Sequence, residues 1–127
     1  MIEGFSMGGR GSTHLATRQP DRFGSLLNQS GNVSHVSDVS KAPSFHLGSD
    51  PERLKVNEPY PNLIKNLAFI TANLRIQVAC GAADPEPPTT VREFHNVLTT
   101  AGVTHHYFEV EHLDHNQKQM INERKAT

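Results

Sequence analysis

Three features of the 127-residue sequence predict an α/β domain with a minimal, mostly parallel sheet of three to four strands and helices on both faces. Strand-like and helix-like segments alternate along the chain, as crossover units do. The first strand-like segment runs through a glycine-flanked serine directly into a helix. Turn-forming residues, Pro20, Gly81 and Gly102 among them, close the periodic segments.

The length fits one domain over residues 1–127. Apolar residues make up 35% and mean hydropathy is −0.50, a thin supply for a wide core. Met1–Phe5 reads as the last stub of a strand. Met7–Arg18 reads as a helix whose small residues (Gly8, Gly9, Gly11, Ser12, Ala16) allow close packing, and Pro20 ends it. Phe23–Asn28 is a short apolar strand. Ser30–Asn57 is rich in Ser, Asn, Asp, Gly and Pro and reads as a long excursion with a short helix near Pro51–Lys55. Tyr60–Ala72 places Leu63, Ile64, Leu67, Ala68 and Ile70 at helical spacing. Leu74–Cys80 alternates as a strand. Thr89–Ala101 is helical, with Val91, Phe94, Val97 and Leu98 on one face. His106–Val110 is a third strand, and Gln117–Arg124 is a short polar helix.

Composition excludes several classes. Twelve basic and 13 acidic residues leave a net charge of −1 without runs, so no basic stripe marks a nucleic-acid binder. No apolar stretch is long enough to cross a membrane. Met1-Ile2-Glu3-Gly4 lacks the basic start and apolar stretch of a signal peptide. The single cysteine, Cys80, rules out an internal disulfide and favours a reducing compartment, hence the cytoplasm.

The sharpest motif is Gly4-Phe5-Ser6-Met7-Gly8, followed by Gly9. A nucleophilic serine must stand on a tight, strained turn from strand to helix. Flanking positions then approach neighbouring backbone closely, where side chains would clash. The helix start beyond Ser6 offers unpaired N–H groups to a developing oxyanion. A serine hydroxyl needs a base, usually histidine, and the histidine an acid. Asp84 follows strand Leu74–Cys80 through Gly81-Ala82-Ala83, at the strand's C-terminal end where catalytic groups collect. A bland role, capping the next helix, is open to it as well. His115 follows the third strand by a short loop; His112 is its rival as base, and Glu111 and Asp114 rival Asp84 as acid. A metal site built from His105, His106, His112 and His115 is disfavoured. Adjacent strand residues point to opposite faces, so His105 and His106 cannot share one ion.

The segment Ile2–Gly11 resembles the elbow of the esterase D-like α/β-hydrolases, a group that includes feruloyl, enterochelin and acetyl-xylan esterase relatives. Pro20-Asp21-Arg22-Phe23, Cys80-Gly81-Ala82-Ala83-Asp84, Phe94-His95 through Leu98, Gly102-Val103, Tyr107 and His115-Asn116 resemble later stretches of the same group. The likeness implies a truncated α/β-hydrolase fold and a serine carboxylesterase with Ser6, Asp84 and His115 as catalytic residues. The preference for His115 over His112 comes from the His-Asn match. Met7 N–H is read as an oxyanion donor and no metal or organic cofactor is needed; the resemblance favours carboxylic esters, and the few larger apolar anchors of the excursion (Phe45, Leu47, Val56) point to a small ester as substrate. Such enzymes have several strands before the elbow, which carry the second oxyanion donor; this chain has none of them. That departure leaves a catalytically weak relic or a half-enzyme completed by another chain as alternatives. It also leads to the expectation of a homodimer that covers the exposed elbow strand.

Overall fold

The computed structural model describes residues 1–33, 58–85 and 88–126. Four strands, β1 (Ile2–Phe5), β2 (Ser25–Gln29), β3 (Arg75–Gly81) and β4 (His105–Val110), form one sheet in the order β1-β2-β3-β4. All three pairings are parallel. The expected stub is therefore a true strand, held by its full register against β2, from Ile2 opposite Leu26 to Phe5 opposite Gln29.

Among the described residues, five α-helices accompany the sheet: α1 (Met7–Arg18), α2 (Pro59–Lys65), α3 (Leu67–Asn73), α4 (Pro88–Thr100) and α5 (Gln117–Ala126). Parallel neighbours in sequential order require crossovers, and right-handed crossovers in one direction put their helices on one face. The core agrees. Ala16 of α1, Tyr60 and Leu63 of α2, Ile70 of α3 and Val91, Phe94 and Leu98 of α4 pack in one cluster with Leu26, Ile76, Val78 and Cys80 of the sheet. The opposite face carries a smaller cluster, in which Met120 of α5 and Leu113 cover Ala79 beside Phe108 and Val110. Helices thus lie on both faces, but four of the five share one.

The single helix expected over Tyr60–Ala72 is two. Asn66 leaves helical geometry (φ −104°, ψ 15°) between them, and its side-chain amide donates to the Thr17 carbonyl at 2.8 Å. A carbonyl near the C-terminal end of α1 gains a partner at the expense of helix continuity. Ile64, assigned to the apolar face by spacing, is 73% exposed, while Tyr60 and Leu63 of the same helix are buried. The strand expected at Phe23–Asn28 begins two residues later, since Pro20–Arg22 forms a 3-10 turn that Phe23 N–H closes onto the Pro20 carbonyl. The short helix expected near Pro51–Lys55, and most of the Ser30–Asn57 excursion, lie outside the described residues.

Histidines 105 and 106 face opposite ways. His105 Nδ1–H donates to the Val103 carbonyl (2.8 Å), which leaves Nε2 to accept from His95 Nδ1–H of α4 (2.7 Å). His95 also stacks on Tyr107, with ring centroids 4.0 Å apart. His106 lines a groove on the other face with Glu3, Leu27 and Gln77. Among the described residues, no group of three His, Cys, Asp or Glu side chains could hold a metal ion, and no helix is long and apolar enough to cross a membrane.

Candidate active site

Ser6 stands between β1 and α1 in a conformation that L-residues avoid, φ 56° and ψ −121°. Such backbone costs on the order of 1–3 kcal/mol and persists only where its surroundings hold it. They do so here. Ser6 N–H donates to the Gln29 carbonyl at 2.8 Å, extending the β1–β2 ladder by one residue, and the Ser6 carbonyl accepts from Arg10 N–H at 3.0 Å, opening α1. The chain therefore reverses within one residue, with strand bonds behind it and helix bonds ahead.

The glycines around it are not equivalent. A Cβ on Gly4 would stand 2.1 Å from the Gly8 carbonyl carbon and 2.7 Å from Gly9 N. A Cβ on Gly9 would meet Asn28 Oδ1 at 2.7 Å and the Gly4 carbonyl oxygen at 2.9 Å. At Gly8 a Cβ would meet nothing within 4 Å. The expectation of crowding on both sides of Ser6 holds for Gly4; on the helix side it belongs to Gly9.

Asn28 locks the elbow from below. Its side chain, fully buried, donates to Thr13 Oγ1 (2.8 Å) and the Gly31 carbonyl (3.1 Å) and accepts from Gly31 N–H (2.7 Å). The end of β2 is thereby tied to the middle of α1. Gly31 lies so close to α1 that a Cβ there would be 2.4 Å from Arg10 N. Nothing in the sequence marked Asn28 or Gly31, because what they hold together, Thr13 and Arg10 of α1, lies far earlier in the chain.

Asp84 and His115 meet at the same C-terminal edge of the sheet. The Asp84 carboxylate, with none of its side chain exposed, accepts from His115 Nδ1–H at 2.6 Å. Two loops are zipped to bring them together. Ala82 N–H donates to the Val110 carbonyl (2.8 Å) and Ala83 N–H to the Leu113 carbonyl (2.9 Å), so the β3–β4 ladder continues beyond the strands. Gly81 permits this approach, since a Cβ there would be 2.2 Å from the Leu113 carbonyl oxygen. Leu113 is 5% exposed and anchors the loop among Ala79 and Met120. Asn116 Oδ1 accepts from Gln119 N–H at 3.1 Å, capping α5 and fixing the chain just after His115.

His115 retains a solvent-accessible side, 27% of its side chain. Its ring packs against Phe5, the residue before Ser6, at 4.6 Å between centroids. Its hydrogen bond among the described residues runs to Asp84, which leaves Nε2 as the free lone pair. The rivals lie elsewhere. His112 occupies a left-handed turn (φ 68°), is 89% exposed in its side chain and sits 3.8 Å from the equally exposed Glu111. Asp114 is exposed. Met7, whose N–H opens α1 directly after Ser6, is 64% exposed.

A parallel sheet with a strained serine elbow after one strand, and an acid and a histidine on loops after later strands, is the C-terminal part of an α/β-hydrolase fold. The family model Esterase, described as "Putative esterase", matches residues 1–124, and the chain belongs to that family. Among solved structures, an S-formylglutathione hydrolase from Staphylococcus aureus shares 21% identity and a TM-score of 0.69, covering 98% of this chain and 47% of its own. A fluorophosphonate-binding serine hydrolase of the same organism shares 20% identity and a TM-score of 0.72, covering 98% and 51%. A ferulic acid esterase shares 18% identity and a TM-score of 0.70, covering 98% and 47%. The chain thus spans about half the length of these structures. No curated protein matches the chain.

Proposed function

We propose that the protein is a serine carboxylesterase acting on small carboxylic esters through an acyl-enzyme. The observation that carries this reading is the hydrogen bond from His115 to the buried Asp84 carboxylate, the His115 imidazole packing on the residue preceding the strained Ser6. With Nδ1–H bound to Asp84, His115 Nε2 takes the Ser6 proton as the hydroxyl oxygen attacks the ester carbonyl. The carbonyl oxygen becomes an oxyanion that Met7 N–H stabilises. The tetrahedral intermediate collapses, the C–O bond to the alcohol breaks, and His115 returns its proton to the leaving alkoxide. Water then attacks the acyl-enzyme with His115 again as base, releasing the acid and restoring Ser6. Asp84 holds the imidazole in the productive tautomer and stabilises the imidazolium. Esters suit the proposed chemistry better than amides, because alcohols leave more readily than amines. Nothing in this sequence of steps calls for a metal or organic cofactor. Phe45, Leu47 and Val56, read as larger apolar anchors of the excursion, lie outside the described residues; the scarcity of such anchors is the reason for expecting short acyl groups to outrun long ones. The lone Cys80 is the reason for expecting a reducing compartment, hence the cytoplasm.

A fluorophosphonate probe should label the wild-type chain at Ser6 and leave Ser6→Ala unlabelled. Activity on nitrophenyl esters should fall from acetyl toward palmitoyl. Equal labelling of both proteins would remove Ser6 as nucleophile; labelling that needs an added polypeptide would make the chain a half-enzyme.

The assembly we propose is a homodimer. Among the described residues β1 pairs with β2 alone, so its other edge offers unpaired backbone groups. The neighbouring sheet face is an open groove lined by Met1, Glu3, Leu27, Arg75, Gln77 and His106. A two-fold contact lets one such patch serve both copies. Light scattering at micromolar concentration should give twice 14.0 kDa; a monodisperse, active monomer would contradict it.

A further inference from the structure

Helix α1 carries three glycines in its first five residues, and packing accounts for only one of them. Gly9 is pressed against Asn28 and Gly4, whereas a Cβ on Gly8 or Gly11 would meet nothing within 4 Å. Glycine at an open helical position costs about 1 kcal/mol relative to alanine, so this bare surface is a burden that the fold does not require. Arg10 stands between these two glycines. It is only partly exposed, and among the described residues it has neither a hydrogen bond from its side chain nor an ion pair. Burial alone draws its pKa down, with no carboxylate acting the other way. A partly desolvated guanidinium without an anion is unfavourable, and its planar fork matches a carboxylate in two parallel hydrogen bonds.

Its place on the helix gives the missing anion a location. Arg10 N–H donates to the Ser6 carbonyl at 3.0 Å, the i to i−4 step of an α-helix. Arg10 therefore lies one turn beyond Ser6 on the same side of the helix, and helical side chains lean toward the helix N-terminus. That end is the sheet edge where Ser6, Asp84 and His115 gather.

We infer that Arg10 is a specificity-determining residue that binds a carboxylate carried by the ester substrate, one helical turn beyond Ser6. The preferred substrate is then an anionic ester, such as the monoester of a short dicarboxylic acid. This inference rests on Ser6 being the nucleophile, but it can fail separately.

Monomethyl succinate and its neutral counterpart, dimethyl succinate, differ in one carboxylate. The wild-type chain should prefer the monoester in kcat/KM, and the preference should reside in KM. Arg10→Gln should reduce the ratio of the two kcat/KM values by about tenfold or more, and Arg10→Lys should restore part of it, as a point charge lacking the fork would. Raising the salt concentration should weaken the wild-type preference. An unchanged ratio in Arg10→Gln overturns the inference. A second measurement does not depend on turnover: succinate titrated against the wild-type chain should shift the Arg10 Nε–H resonance, with no binding to Arg10→Gln. Absence of succinate binding overturns the inference even when dimethyl succinate is hydrolysed. Succinate binding without hydrolysis of either ester would sustain Arg10 and remove the esterase reading instead.

Discussion

Asp84→Asn is expected to lower kcat by about 10⁴ while leaving the protein folded. The argument rests on the tautomer. In the native site the carboxylate accepts from His115 Nδ1–H at 2.6 Å, which keeps Nε2 unprotonated and able to take the Ser6 proton. An asparagine there can present its amide N–H to Nδ1. The imidazole then carries its proton on Nε2, where it cannot act as base toward Ser6. Volume is conserved, so the buried site should remain packed; the loop bonds from Ala82 and Ala83 to the Val110 and Leu113 carbonyls involve backbone alone. His115→Ala should be comparably inactive, because both changes remove one cooperating unit and their effects do not add. Steady-state hydrolysis of nitrophenyl acetate, with circular dichroism of each variant, measures both quantities. Full activity in Asp84→Asn would transfer the acid's role to another carboxylate; the rivals Glu111 and Asp114, close to His115 in sequence, are both exposed.

The elbow was legible in the sequence because its chemistry is local. Gly4, Ser6 and Gly9 lie within six residues, and the steric demand of a strand turning into a helix acts within that span. Parallel pairing followed from the alternation of elements for a similar reason: each crossover joins neighbours in the chain. What was not legible depends on contacts distant in sequence. The break at Asn66 serves Thr17, 49 residues earlier, and no helical periodicity can encode that. Residue composition cannot separate His115 from His112 three positions away. The structure separates them by their surroundings: Leu113 is inserted among Ala79 and Met120, which sends His115 back over the sheet to Asp84 and leaves His112 in solvent. The same loop depends on Gly81, legible only as the end of a strand, whose missing side chain admits the Leu113 carbonyl. Phe5 was legible merely as the variable residue of the motif, yet its ring supports His115.

Gly4→Ala and Gly8→Ala are expected to change stability in opposite directions, although the two glycines occupy matching places in the motif. At position 4 the added methyl would lie 2.1 Å from the Gly8 carbonyl carbon, 2.2 Å from its oxygen and 2.7 Å from Gly9 N. All three are backbone atoms, so no side chain can rotate away. Either β1 must part from α1, or the elbow must open at Ser6. Overpacking that displaces backbone costs about 3 kcal/mol, and a loss of that size should lower Tm by roughly 10 °C or more in a chain of this length. Opening the elbow would also release the strained φ of 56° at Ser6, and with it the placement of the hydroxyl, so fluorophosphonate labelling should fall together with Tm. At position 8 the methyl meets nothing within 4 Å, and the residue is helical with no positive φ; among the described glycines only Gly102 has one. Alanine there should stabilise α1 by about 1 kcal/mol through propensity alone, raising Tm by a few degrees. Thermal melts of the two variants beside wild type decide the matter. Shifts of the same sign would mean that the motif's glycines are not divided between backbone approach and open surface, and the division of roles drawn from the contacts around Gly4, Gly8 and Gly9 would be wrong.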